Sequence, residues 1–249
     1  MGAEQRIPSP LGYGPVTLLD KIRHSGLSLP ATQNYSWSAS LNAVQLHAQE
    51  MGKAALSHPV AFTRLSSAGA FVPVAVLGLR EGQNLCVDSE GQWLKGSYIP
   101  AYIRCHPFCI ARTKKANGTS RGLVCVDESV LVKGAPELFD AAGNATAAWQ
   151  PVQALLDAAE SAVPQTEAFA RRLAALGLFE PFEALVMPKN GEQLRLKGLW
   201  RVNETRLATL PASVLRTLIK QGELRAIHAH ILSLEHFARL MVAGAATAP

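Results

Sequence analysis

Eighteen residues, Gly91–Phe108, hold Trp93, Tyr98, Tyr102 and Phe108 together with Pro100 and Pro107. Only 6% of the whole chain is aromatic, so this density is local. Proline fixes φ, lacks an N–H and pushes the residue before it out of the helical region. The segment is therefore expected to be extended or turning, with its rings holding it in place. Asn84–Asp88 upstream and Leu123–Glu128 downstream flank it, each carrying a cysteine in an apolar run that ends in a carboxylate.

A chain of 249 residues forms one large domain or two smaller ones, and either buries a substantial core. With 48% hydrophobic and 17% charged residues, little of it is left for a solvated tail. The net charge of +5 is spread along the chain without a basic stripe, so nucleic acid is not expected as a partner. Met1–Pro10 lacks a basic head followed by an apolar run, and no apolar run reaches membrane-spanning length. Cys86, Cys105, Cys109 and Cys125 are unevenly spaced and read as reduced thiols rather than a disulfide framework. A cytoplasmic protein without a membrane span is expected.

Residues 1–36 show little periodicity beyond a short strand near Val16–Leu19. Leu41, Val44, Ala48, Met51 and Ala55 recur at three and four, which predicts one early helix from Ser38 or Ser40 to about Leu56. From Val60 to Asp127 the period changes to two. Strands are expected at Val60–Arg64, Phe71–Leu77, Asn84–Asp88, Tyr102–Ala111 and Leu123–Val126, and Pro73 assigns its strand to an edge or a bulge. Asp88–Gly91 and Asn117-Gly118 are turn signals. Residues 147–177 read as two helices, the second opening near Thr166 and closing at Gly177. A hairpin follows over 183–202 with its turn at Lys189–Glu192. Pro211 opens a helix ending at Gly222, Leu224–Leu232 alternates like a strand, and Ser233 caps a last helix. The fold class is α+β: a β-rich part over 1–145 with one early helix, and a mixed helix and hairpin part over 146–249, packed as one continuous unit.

The order and spacing of several blocks resemble the SapC family, a bacterial family named for a surface-layer gene cluster. They are Asn84–Phe108, His24, Asn42, Glu50, Leu138–Asp140 with Gly143, Gly198–Val202 and Ala229–Ser233. The resemblance covers roughly residues 10–240. It implies a role beside envelope or peptide-processing systems and defines no reaction. Where the family reads Arg-Arg-Tyr-Pro-Phe, this chain has Arg104, Cys105, His106, Pro107 and Phe108.

Three residue sets carry possible chemistry. Rings with a guanidinium suit a peptide, a carboxylate or an aromatic side chain, and Trp93, Tyr98, Tyr102 and Arg104 offer both. Glu50, on the face of the early helix, is expected to reach Arg104. Carboxylates at Asp88, Asp127 and Glu128 read as turn and strand-end residues. Thiolate and imidazole bind soft metals, so Cys105, His106 and His230, with Cys109 and His228, form the alternative metal or nucleophile set. Cysteine as a small buried hydrophobe competes with that reading, and no metal or cofactor is expected. The basic loop Arg112–Arg121 reads as a solvated hairpin tip. The function expected is that of a non-catalytic accessory or binding protein. It would recognise a peptide, a protein segment or an amino-acid-like ligand through Trp93, Tyr98, Tyr102, Arg104 and Glu50. An enzyme modifying a peptide or amino acid at a Cys/His site is the alternative, and a homodimer is compatible with either.

Overall fold

The computed structural model describes residues 7–65, 69–114, 120–134, 136–186 and 194–240. The chain begins with β1 (Val16–Leu18), β2 (Leu27–Ser28), β3 (Ala43–Gln45), α1 (Met51–Ala54), β4 (Val60–Arg64) and β5 (Phe71–Val76). Next come α2 (Ala101–Cys105), β6 (Phe108–Lys114), β7 (Ser120–Asp127), β8 (Val132–Lys133) and α3 (Trp149–Ala175). The remainder is β9 (Phe179–Val186), β10 (Leu194–Val202), α4 (Glu204–Ala208), α5 (Ala212–Lys220) and α6 (Glu223–Ser233). A five-stranded sheet has the order β3-β5-β4-β10-β9 and a three-stranded sheet the order β1-β7-β6, while β2 and β8 form a two-stranded ribbon. Every pairing is antiparallel, so the α+β class holds.

The larger core lies on one face of the five-stranded sheet, where Val44, Val60, Phe62 and Ala75 meet Phe169, Leu173, Leu218 and Ile227. Its other face carries Ala61, Val74 and Val76 against Phe237 and Leu240. A third cluster, Phe108, Val126, Phe139, Trp149 and Leu156, sits under the small sheet. Helix α3 joins the cores, with Trp149 and Leu156 near its start in the third cluster and Phe169 and Leu173 near its end in the first. The parts on either side of residue 145 share the five-stranded sheet through the pairing of β4 with β10.

Six local expectations are corrected. The early helix is cut back to its C-terminal part: Val44 and Leu46 are buried on either side of exposed Gln45, a period of two, and β3 pairs with β5. Only Met51–Ala54 of that stretch is α-helical. Residues 149–175 form one helix through Pro164, although a central proline costs about 3 kcal/mol. Burial of Leu156 and Ala162 before it and Phe169 and Leu173 after it offsets that cost. Thr166 starts no helix. Its hydroxyl donates to the Ala162 carbonyl (2.8 Å) and accepts the Ala48 N–H (2.9 Å). Leu224–Leu232 is helical, since its buried residues Ala226, Ile227, His230 and Ser233 repeat at four and three.

The fourth correction concerns the proline-rich segment. Pro100 stands just outside α2 as its N-cap, where a missing N–H costs nothing, and the helix stops at His106, extended ahead of Pro107. Tyr102–Cys105 is therefore helix, and the strand begins at Phe108. Pro73 lies in an interior strand, with its carbonyl accepting the Leu46 N–H (2.9 Å) where β3 has already ended. Asn84–Asp88 makes only an isolated bridge, Val87 to Trp93. The turn at Asp88–Gly91 forms as expected: the Asp88 carboxylate accepts the N–H groups of Glu90 (2.9 Å) and Gln92 (2.8 Å). Gly91 has φ +76° with Asn34 and Ser36 against its Cα, so no other residue fits. Gly177 closes α3 at φ +64°. The Asn117-Gly118 and Lys189–Glu192 turns lie outside the described residues.

Candidate functional site

With a proline as N-cap, α2 has no side chain of its own to satisfy its first N–H groups. Glu50 supplies the cap from another segment. Its carboxylate accepts the Ala101 N–H (2.8 Å), the Tyr98 hydroxyl (2.8 Å) and the His47 N–H (2.8 Å). Arg104, one turn into α2, comes within 3.9 Å of the same carboxylate. Its Nε donates to the Ile99 carbonyl (3.0 Å), Nη2 donates to the Tyr98 hydroxyl (3.2 Å), and the guanidinium lies over the Tyr98 ring. Burial pushes the Glu50 carboxyl up most strongly, but the hydrogen bonds from His47, Ala101 and Tyr98 together outweigh it and hold it below its ordinary value. Burial, and then the Glu50 charge, push Tyr98 up to about 12. Glu50, Tyr98 and Arg104 therefore form one bonded unit.

Tyr102 points to the other side of α2. Its hydroxyl donates to the Leu11 carbonyl (2.7 Å), and burial pushes it up to about 12. There it borders a cavity of about 300 Å³. Ala101, Tyr102 and Cys105 of α2 form one wall, Phe108, Cys109, Ile110 and Arg112 of β6 a second, and Leu156, Ala159, Glu160 and Val163 of α3 the third. Pro10, Tyr13, Gln45 and His47 complete the lining. Tyr13 donates to the Phe108 carbonyl (3.1 Å), and burial raises its pKa far above the usual tyrosine range. At the rim the Arg112 guanidinium stands 3.8 Å from the Glu160 carboxylate, both half-exposed. Its lining is mainly apolar, with Phe108, Ile110, Leu156 and Val163, and carries a few polar groups, as small-ligand and peptide sites do.

Successive residues of a strand point to opposite faces. A cavity lined by Phe108, Cys109 and Ile110 in succession therefore runs along the edge of β6 rather than over one of its faces. That edge is open, because β6 is the outermost strand of its sheet. The Asp127 N–H donates to the Pro107 carbonyl and the Leu19 N–H to the Val124 carbonyl. Alternation along the ladder then leaves the N–H and C=O of Ile110 directed away from β7. Gln45, at the end of β3 and thus on the open edge of the other sheet, borders the same cavity.

The other predicted residues lie apart. Trp93 packs edge-on against Tyr35 and near His58, and its indole N–H is buried without a partner. It lines a second hollow of about 570 Å³, walled by residues 82–88, residues 92–95 and Ala39. The polar groups there are engaged locally, Asn84 with Ser38 and the Cys86 N–H, and Asp88 with its own turn. His106 stacks on Trp37 at 4.0 Å, and burial lowers it to about 4. His230 lies in the core, where its Nε2 accepts the Val202 N–H (3.1 Å) and its Nδ1 donates to the Val60 carbonyl (2.7 Å). His228 is exposed on another face of α6. Cys105 borders the cavity, with burial the largest of the effects that raise it to about 11. The set Cys105, His106 and His230 is thus dispersed. No three His, Cys, Asp or Glu side chains gather as a metal would need among the described residues.

One Cys–His contact escapes sequence reading. The His58 Nε2–H donates to the Tyr98 carbonyl (2.6 Å), which leaves Nδ1 facing the Cys86 sulfur at 3.7 Å. Both side chains are buried; burial pushes the thiol up to about 12 and the imidazole down, so the pair is neutral. The nearest thing to a nucleophile pair in the described residues is a core hydrogen bond. The cavity itself is only partly legible in sequence: Tyr102, Cys105, Phe108 and Cys109 stand out there, whereas Tyr13, His47 and Glu160 come from three separate segments with no local pattern.

The SapC family model matches residues 19–240. The chain belongs to the SapC family. No curated protein and no solved structure matches it. Within this SapC-family chain, the family-like block Asn84–Phe108 thus supplies most of the Trp93 hollow, the helix that Glu50 caps and one wall of the cavity. The departures at Cys105 and His106 fall on the cavity wall and on the Trp37 stack. No helix of the described residues is long and apolar enough to cross a membrane.

Proposed function

We propose that the protein is a non-catalytic binding protein that holds an extended peptide or protein segment in the cavity beside β6. The observation that carries this reading is the run of consecutive β6 residues along the cavity, with the main-chain groups of Ile110 turned toward the opening. An extended segment laid there adds a strand to the small sheet, with main-chain hydrogen bonds giving affinity and the apolar lining giving side-chain preference. The facing Arg112 and Glu160 suit a segment with polar groups at its flanks. The family's association with bacterial surface layers supports a partner from an envelope system, and four cysteines without a disulfide support a cytoplasmic location.

Peptides selected from a displayed random linear library test the reading by fluorescence anisotropy. Wild-type protein is expected to bind them, and Ala159→Trp, which fills the cavity from the exposed side of α3, to lose at least tenfold in affinity at unchanged stability. Equal binding by Ala159→Trp, or no peptide recovered at all, overturns it.

A further inference from the structure

The cavity wall holds thiols that peptide binding does not use. Cys109 on β6 and Cys125 on β7 are register partners, and opposed residues of antiparallel strands project from the same face. The ladder makes theirs a hydrogen-bonded pair, for which the Cα separation is about 5.5 Å, inside the roughly 4.4–6.8 Å that a disulfide spans. Both thiols are free. Cys109 is half-buried and borders the cavity, while Cys125 is fully buried behind it. Cys105 borders the same cavity from α2.

We propose that Cys109 and Cys125 form a thiol–disulfide exchange site for small disulfides of the glutathione class, with Cys109 attacking first and Cys125 resolving. The Cys109 thiolate attacks one sulfur of the small disulfide, whose S–S bond breaks. The departing thiolate takes up the proton that Cys109 released, leaving a mixed disulfide on Cys109. Cys125 then attacks the Cys109 sulfur and expels the second small thiol, which takes the Cys125 proton. Two protein thiols are oxidised and one small disulfide is reduced to two thiols, so no other reactant enters. The division of roles follows from position, because only Cys109 reaches the opening. This inference stands whether or not the cavity takes a peptide.

Incubating wild-type protein with oxidised glutathione, then measuring intact mass and mapping tryptic peptides after acid quenching, tests it. The expected product is two hydrogens lighter, carries no glutathione, and has lost two of its four thiols. Fragmentation is expected to join Cys109 to Cys125, and Cys105→Ser to leave that link intact. Cys125→Ser is expected to stop at one glutathione on Cys109. Should that variant misfold, the wild-type mass and the Cys105→Ser map still decide. Stable glutathione on the wild-type protein, four unreacted thiols, or a cross-link that persists in Cys109→Ser overturns the assignment.

Discussion

Glu50 shows how one side chain is bound to both stability and site. Its carboxylate answers the N–H that Pro100 leaves without a local cap, at Ala101 on the cavity wall, and it fixes Tyr98 and Arg104. Glu50→Gln keeps the shape but sets an amide N–H₂ against donors, and it is expected to lower stability by about 2 kcal/mol at pH 7 in urea unfolding. The pH dependence has a definite sign. The folded carboxyl sits below its ordinary value, so its contribution is complete above the usual glutamate pKa of about 4.3 and is lost as pH falls through the lower folded value. The stability gap between wild type and Glu50→Gln is therefore expected to close on acidification through that window; a gap independent of pH would show that the charge is not the stabilising feature. Arg104 is more exposed, and its ion pair is long. Arg104→Ala is expected to cost about 1 kcal/mol or less.

At the scale of elements, α6 places His230 between β4 and β10, bonded to one main-chain group of each. His230→Ala leaves the Val202 N–H and Val60 carbonyl without that partner and opens space beside Phe62, for an expected loss of about 3 kcal/mol. Burial lowers this imidazole to about 4. The unfolded chain then takes up a proton near pH 6.5 that the folded chain refuses, so stability falls as pH drops from about 6.5 toward 4. Comparing wild type with His230→Gln across that range checks the sign, since the variant lacks this contribution to the fall. The same helix marks where sequence reading stopped. Leu224–Leu232 fits periods of two and of 3.6, and only packing on β4 and β10 selects the helix. Gln45 presents the converse case: Leu41, Val44, Ala48 and Met51 fit a helical stripe, yet pairing with β5 draws Ala43–Gln45 into a sheet. Strands β4 and β5, the Asp88 turn and the Gly177 cap were legible because their signals are local. The cavity was only partly so, because its walls come from four separate stretches of chain, 10–13, 45–47, 101–112 and 156–163.

Across the whole molecule, α3 makes the two sheets depend on each other, since its ends lie in the core of each, and the β4–β10 pairing joins the two halves of the chain. Leu156→Ala in the small core and Leu173→Ala in the large one are each expected to cost about 2–5 kcal/mol. Both are expected to shift one unfolding transition seen by tryptophan fluorescence and far-ultraviolet circular dichroism alike. Two separate transitions would mean that the sheets unfold independently. The cavity lies where these parts meet, bounded by α2, by the open edge of β6, by the end of β3 and by the middle of α3. That position makes its shape a property of the assembled fold, with the exposed edge of β6 its most distinctive surface. Amide hydrogen exchange of Ile110, followed by NMR as a library-selected peptide is added, tests this account most directly. Strand addition predicts that the Ile110 amide becomes at least tenfold more protected while the Cys109 amide, already in the ladder to β7, changes little. A peptide that binds and leaves Ile110 exchanging at its free rate would contradict it.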